Sequence, residues 1–289
     1  MTALNPDHYS IDAVVNEDTV IFPDITPFQH ALADIKDGFA QWRIWLMLAY
    51  QDIKLRYRRS VLGPFWLTLS MAITVYTMGF LYGKIFHQDL ESYYPFLVAG
   101  MLSWSLISTI VMELTEGFLG ADVYIKQIKL PYSVYIHRLV SRNMIIFFHN
   151  IFVIVPILII YHTHAKVNLN TLLIIPGLLF IYLNGISFGV ILAMIGARYR
   201  DVLQIVKSLV QVIFFVTPVM WGPQFLHGRA QFIIDWNPFY AFIELIRAPL
   251  LGTVPTLNNM IMVACVTTLG VTLSLWMFIR YRARIVYWL

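Results

Sequence analysis

The sequence predicts an all-α integral membrane protein with six transmembrane helices, an N-terminal interface helix, a re-entrant helical hairpin before the last span, and both termini cytoplasmic. Of 289 residues, 59% are hydrophobic and only 12% are charged, whereas about a quarter of the residues of an average soluble domain are charged. Apolar runs without formal charge recur at about 20 residues, the length that crosses the hydrocarbon core. The Lys and Arg residues flank these runs instead of forming one soluble patch, so the net charge of +4 does not predict a nucleic-acid partner.

Residues 1–38 are predicted to form an acidic cytoplasmic tail, with seven acidic residues and Lys36 as the only base. Helical patterning begins near Phe28, and residues 39–62 are predicted to form an amphipathic interface helix. Trp42 and Trp45, with flanking bases, are typical of a helix lying at the membrane surface. The alternative is a small soluble helical cap packed on the rest of the chain.

A cationic cluster precedes the first predicted span and is expected to stay on the cytoplasmic side. It consists of Lys54, Arg56, Arg58 and Arg59. Gly63-Pro64 then marks the start of the span, because proline is tolerated in the first turn of a helix.

Six spans are bounded by charged residues, in a transmembrane domain of residues 63–289. They lie at 60–83, 92–112, 143–165, within 167–197, from 202 to about 223, and at 260–279. With the N-terminus inside, sixteen of the twenty Lys and Arg residues fall on the inner side. Such an asymmetry is the positive-inside pattern, and it sets the predicted orientation.

Residues 222–257 are too apolar for a solvated loop, yet prolines and glycines interrupt them. They are predicted to form two short helices with a turn at Asn237-Pro238. Half-length apolar pieces predict a re-entrant hairpin dipping into the outer leaflet and shielded by neighbouring protein. Two further full spans are the alternative, and they would need longer uninterrupted runs.

No pattern in the sequence predicts catalysis, a bound metal or a cofactor on this chain. The sequence does not contain the glycine-rich loop, ending in Lys-Ser or Lys-Thr, that binds the phosphates of ATP in many ATPases. His162-Thr-His164 lacks a nearby acid and is more typical of a polar loop than of a metal site. Glu113 and Glu116 share a helix face, but carboxylates there more often pair with bases than form a catalytic pair. The single cysteine, Cys265, allows no internal disulfide.

Polar and aromatic residues form stripes on the first and fifth predicted spans, at helical spacing. The first stripe contains Trp66, Ser70, Thr74 and Thr77, and the second contains Gln204, Lys207, Ser208, Gln211, Phe214 and Phe215. Because glutamine is costly facing lipid, the second stripe predicts contact with protein or a water-filled path. Polar contacts between helices are the alternative for both stripes.

The inner loop at 117–142 contains a predicted short helix near 120–131 that ends before Pro131. It is either a lever for a partner protein or a connector on the membrane surface.

Four short motifs in this order resemble the membrane subunits of ABC exporters for polysaccharides, the O-antigen, capsule and teichoic-acid permeases. They are Asp52-Ile-Lys-Leu-Arg-Tyr-Arg-Arg-Ser-Val-Leu-Gly63 with Trp66, Gly196-Ala-Arg-Tyr-Arg-Asp201, Thr217-Pro-Val-Met-Trp221, and Trp236-Asn-Pro-Phe239 with Arg247 and Gly252. The resemblance covers roughly residues 39–289 and leaves 1–38 unexplained.

The resemblance implies a homodimer in a bacterial inner membrane, joined to two copies of a separate ATPase that binds ATP and Mg²⁺. The substrate would be a lipid-linked polysaccharide, moved outward through a channel lined by the first and fifth spans, with the hairpin as outer gate. Arg56, Arg58 and Arg59 would contact the phosphates of the anchor or ordinary membrane lipids. The short helix would couple to the ATPase through Asp122, Val123, Tyr124, Lys126, Gln127 and Lys129.

Two other functions remain open from the residues alone. One is a membrane-embedded glycosyl- or phosphotransferase acting on polyprenyl phosphate, although the inner-side acids are scattered in sequence. The other is a drug or small-lipid exporter of the same architecture.

Overall fold

The structure is a computed structural model that describes residues 15–16, 19–20, 26–63, 65–85, 87–161, 167–223 and 231–289. Two short strands, β1 (Val15–Asn16) and β2 (Thr19–Val20), pair antiparallel with Val15 opposite Val20. The rest of the described secondary structure is helical. The helices are α1 (Pro27–Ala40), α2 (Trp42–Arg56), α3 (Phe65–Ile85), α4 (Leu90–Thr115), α5 (Asp122–Gln127), α6 (Tyr132–Asn150), α7 (Ile154–Ile160), α8 (Ile174–Arg198), α9 (Val202–Val216), α10 (Phe232–Asp235), α11 (Pro238–Leu250), α12 (Leu257–Tyr281) and α13 (Ile285–Trp288).

The N-terminal region forms two helices in place of a single interface helix at 39–62. A capping box between Thr26 and Gln29, with Pro27 in the first turn, begins α1 ahead of the predicted boundary. α1 and α2 meet at Gln41, and residues 57–63 are not helical. Part of the segment upstream of residue 39, from Pro27 onward, therefore contributes helix to the fold.

Five helical segments among the described residues are long and apolar enough to cross a membrane. They are Phe65–Ile85, Leu90–Thr115, Tyr132–Ile160, Leu169–Arg198 and Leu257–Trp288. The fifth predicted span corresponds to α9, which has 15 residues. At 1.5 Å per residue α9 is about 22 Å long, shorter than the roughly 30 Å hydrocarbon core.

The third long segment starts earlier than the charge-free run at 143–165. α6 begins at Tyr132 and includes Arg138 and Arg142, which the sequence assigns to the preceding loop. Both arginines bind the carboxylate of Asp52, at 2.5 to 2.9 Å. α6 therefore extends the predicted charge-free run toward the N-terminus with a charged portion whose arginines are paired with Asp52.

α4 is the central helix, and it contacts α3, α6, α8, α9 and α11. Glycines let neighbouring helices approach closely at two positions of the central helix. A Cβ at Gly79 would collide with the ring of Tyr94, and one at Gly189 would collide with Leu114. These contacts fix α3 and α8 against the central helix.

The two short helices α10 and α11 meet at Asn237, whose side chain caps α11 at the amide of Tyr240, with Pro238 following. The far end of α11 lies beside the start of the fourth long segment, because Asn168 and Asn170 both donate to the carbonyl of Gly252. α11 extends from there toward the middle of α4, where Phe239 contacts Trp104.

Candidate functional site

α9 presents its predicted polar stripe away from the rest of the chain. Val206 and Val210 are buried on one side of α9, and Phe214 packs on Trp104 with 5.5 Å between ring centroids. The opposite side is exposed, including Gln204, Lys207, Ser208, Gln211 and Phe215, the last at 65%. Neither glutamine has a hydrogen-bond partner within the part of the chain that the structure describes. Their amides are available to water, a ligand or another protein.

The exposed side of α9 has two parts. Ile205, Leu209 and Val212 are exposed next to the stripe, rotated about 80–140° from Gln204 at 100° per residue. This apolar part suits lipid or a hydrophobic contact, whereas the glutamines do not suit lipid. One helix therefore carries two chemically distinct exposed faces.

The chain after α9 is held in place by buried polar contacts from α11. Asn237 donates to the Thr217 hydroxyl at 2.9 Å, and Arg247 donates to the Pro218 carbonyl at 2.9 Å. Arg247 is 1% exposed, pairs with Glu244, and lies 4.1 Å from the ring centroid of Phe96. Arg247 belongs to the fourth motif quoted for the family resemblance, and its burial was not predicted from the sequence. The Glu244 to Arg247 spacing on an apolar helix was the available signal for a buried pair.

The first stripe lies on α3, but it does not face α9. Ser70 and Thr74 line a cleft of about 280 Å³ between α3, α4 and α6. The other polar residues that line this cleft include Ser105, Thr109 and Asn150. Ser70 donates to the carbonyl of Trp66, and Thr74 donates to that of Ser70. Trp66 and Thr77 are exposed and do not line this cleft.

A charged cluster joins α2, α4 and α6 at the end of the cleft nearest Arg56. The Glu113 carboxylate accepts from Arg142 at 2.8 Å, from Asn143 at 2.5 Å and from Arg56 at 3.3 Å. Glu113 therefore pairs with bases, which was the commoner alternative for this residue. Arg56, Arg58 and Arg59 are all exposed, and Arg56 also forms an ion pair with Glu113.

The predicted coupling helix is shorter than 120–131. A 3-10 turn at Leu119–Ala121 leads into α5, which ends at Gln127, and Pro131 precedes α6. Asp122 and Lys126 pair at 2.7 Å, and the Arg138 guanidinium lies 5.7 Å from the Tyr124 ring centroid. Five of the six predicted coupling residues have exposed side chains. They are Val123, Tyr124, Lys126, Gln127 and Lys129.

α1 anchors the start of α6, a contact that the sequence analysis missed. The buried Asp34 carboxylate accepts from the amides of Tyr132 and Ser133 at 3.1 and 3.0 Å, and from Arg282 at 2.7 Å. Pro131 offers no side-chain cap, so Asp34 satisfies the free amides of the first turn of α6. Its partners lie about 100 and 250 residues away, and sequence spacing gives no sign of them.

The residues that the structure describes contain no group of three or more His, Cys, Asp or Glu placed to hold a metal ion. His162 and His164 lie outside the described residues.

Comparisons with known proteins identify the family. Residues 43–251 match the ABC-2 type transporter family. The chain is similar to an O-antigen export system permease protein, RfbA, of Klebsiella pneumoniae, at 23% identity over 68% of this chain and 76% of the relative. It is also similar to the protein of the same name from Myxococcus xanthus, at 24% identity over 70% of this chain and 78% of the relative. A family match over more than half of the sequence, together with five apolar helices of spanning length, makes the chain a multi-pass membrane transport protein that belongs to the ABC-2 type transporter family.

Proposed function

We propose that the chain is the transmembrane half of an ATP-driven exporter that moves a lipid-linked polysaccharide outward across a bacterial inner membrane. It acts as a homodimer with two copies of a separate ATPase, which bind ATP and Mg²⁺. The curated relatives named as O-antigen export permeases support the substrate class.

The observation that carries this function is the exposed polar stripe of α9. Glutamine, serine and an aromatic ring recur on one narrow face of an apolar helix and leave their polar atoms accessible. A glycan needs such a surface, because its hydroxyls exchange hydrogen bonds with amides and its apolar ring faces stack on aromatic side chains. A second copy of the chain would provide the facing half of the path.

Six spans with cytoplasmic termini follow from the charge asymmetry and from treating α9 and residues 217–223 as the fifth crossing. In that orientation α11 is re-entrant. Its last residues are held at the outer side by Asn168 and Asn170, while its first residues reach Trp104 midway along α4. With 13 residues, α11 covers about 20 Å, which supports a hairpin of α10 and α11 that enters and leaves on the outer side.

The ATPase contacts the exposed side of α5, and its movement reaches the spans through α6. α5 precedes α6 by four residues, and α6 is held by Asp34 at its start and by Asp52 about two to three turns later. Exposed Arg58 and Arg59 lie next to the first span and suit the phosphates of a lipid anchor or of ordinary headgroups.

A deletion experiment separates this function from its competitors. Cells lacking the chain are expected to make the polymer and accumulate it on its lipid inside the cell, with drug tolerance unchanged. Failure to make any lipid-linked polymer would favour the glycosyl- or phosphotransferase. Normal surface polymer with altered drug tolerance would favour the drug or small-lipid exporter. Reintroducing the intact chain provides the control for each readout.

A further inference from the structure

A cavity of about 240 Å³ lies where α8 and α12 end, away from the α9 stripe. After α12, a 3-10 turn at Arg282–Arg284 redirects the chain so that α13 packs against α8. Ile285 of α13 is fully buried and fixes this turn. Met194 of α8 and Met277 of α12 contribute apolar lining to the cavity. Its aromatic lining residues are Tyr199, Trp276, Tyr281 and Trp288.

Arg198, the last residue of α8, lines this cavity and is exposed. Its guanidinium lies 5.1 Å from the ring centroid of Tyr199 and 5.6 Å from that of Trp288, so two rings position it by cation–π contact. Among the described residues, Arg198 has no hydrogen-bond or ion-pair partner. Because the contacts with the rings involve no oxygen acceptor, its N–H donors can bind an anion.

The surroundings of the cavity carry an excess of positive charge. Residues 194–201 and 276–289 contain five arginines and one acid, Asp201. Arg282 pairs with Asp34 of α1. The other four arginines are exposed, and none of them has a carboxylate partner in the part of the chain that the structure describes. The cavity therefore favours a ligand with net negative charge.

Among membrane components, an anionic lipid matches this combination of features. α8 and α12 belong to segments of spanning length, so their ends lie at the level of the headgroups. A lipid phosphate accepts hydrogen bonds from a guanidinium, and the apolar lining beside it suits an acyl chain. A zwitterionic headgroup would bring a further cation among four unpaired arginines, which is unfavourable.

We propose that this cavity binds an anionic phospholipid, with its phosphate on Arg198 and the start of one acyl chain against Met194 and Met277. The bound lipid joins α13 to the end of α8, immediately before residues 199–201, which lead into α9. The site needs only that α8 and α12 lie in a membrane, so it can fail while the proposed transport function stands.

Photolabelling of the full-length chain in phosphatidylcholine vesicles tests this site. The probes are trace phosphatidylglycerol and trace phosphatidylcholine, each with the same diazirine near the ester end of one acyl chain. Mass spectrometry locates the adducts. The phosphatidylglycerol probe is expected to label residues 194–199 and 276–288 roughly fivefold more than the phosphatidylcholine probe, the effect of about one arginine at an anionic surface.

Substitution of the arginine tests its role. Arg198→Gln is expected to remove the preference for phosphatidylglycerol at these residues. Arg43→Gln is the matched control, because Arg43 is also exposed and lies against an aromatic ring, that of Trp42, and it is expected to leave the preference unchanged. Equal labelling by the two lipids in the unmodified chain, or the same loss in Arg43→Gln, would overturn the role of Arg198.

Cavity filling provides a test that does not depend on charge. Ile195 lines the cavity, and Ile195→Trp is expected to lower labelling of residues 276–288 by both lipids at least threefold. Leu179→Trp, at an exposed position of the same helix, is the control and is expected to leave labelling unchanged. Labelling that does not respond to Ile195→Trp would overturn the cavity as the binding site.

Discussion

α3 and α9 both carry a stripe of polar residues, yet the two stripes differ in what their side chains do. On α3, the hydroxyls of Ser70 and Thr74 donate to carbonyls of their own helix. On α9, Gln204 and Gln211 are exposed with no such local partner in the described structure. A hydroxyl four residues after a carbonyl can satisfy itself, whereas a glutamine amide has more groups to satisfy than its own helix offers. The hydroxyls of Ser70 and Thr74 are therefore already paired within α3, whereas the amides of Gln204 and Gln211 are accessible to a ligand.

The anchoring of the two helices differs as well. α3 is held by neutral hydrogen bonds, from Thr68 to the His149 carbonyl on α6 and from Tyr76 to the Val153 carbonyl in the 3-10 turn after α6. The chain after α9 is held by the charged and buried Arg247. Loss of a buried charge partner costs more than loss of a neutral bond, so the two anchors are expected to respond very differently to substitution.

The largest expected effect follows from removing Arg247. Arg247→Met leaves Glu244 without its partner and frees the Pro218 carbonyl, with an expected loss of about 3–5 kcal/mol of stability. Thermal unfolding of the purified chain in detergent measures it. The double variant Glu244→Gln with Arg247→Met is expected to recover part of the loss. A single variant as stable as the unmodified chain would show that the turn after α9 does not depend on this pair.

An intermediate effect is expected from the aromatic end of the α9 stripe. Phe215→Ala removes a stacking surface that is 65% exposed, and export is expected to fall roughly fivefold, since aromatic contacts contribute on the order of 1 kcal/mol. Leu209→Ala, exposed on the apolar part of α9, is the control with an expected change below twofold. Surface polymer per cell is the measurement, and equal losses in the two variants would leave the stripe without a special role.

The smallest effect is expected from the α3 anchor. Tyr76→Phe removes one neutral hydrogen bond to the Val153 carbonyl and is expected to cost about 0.5–1.5 kcal/mol. The same detergent unfolding assay detects it. A loss as large as that of Arg247→Met would contradict the contrast between the two anchors.

Much of the helical architecture could be predicted from the sequence, because apolar length acts locally. The bounds of α4 and α12 lie close to their predicted charge-free runs. The start of α6 could not be placed this way, because Asp52 neutralises Arg138 and Arg142 from a different helix. The anchoring of α1 by Asp34 and the burial of Arg247 also depend on partners distant in sequence or on tertiary packing, which periodicity does not encode.

The candidate site could likewise be predicted only in part from the sequence. Helical spacing was enough to place Gln204, Ser208 and Gln211 on one exposed face of α9. It was not enough to show that Ser70 and Thr74 face a cleft with α4 and α6, because the angular position of a residue does not say which helix lies opposite.

The most direct measurement compares export by Gln211→Leu with export by Thr74→Val, each scored as surface polymer at matched levels of assembled transporter. Gln211→Leu is expected to reduce export at least tenfold, because it replaces an accessible amide in the proposed path, and Val212→Leu next to it is the control. Thr74→Val is expected to change export less than twofold. Normal export by Gln211→Leu, or an equal loss in Thr74→Val, would contradict the assignment of the path to α9.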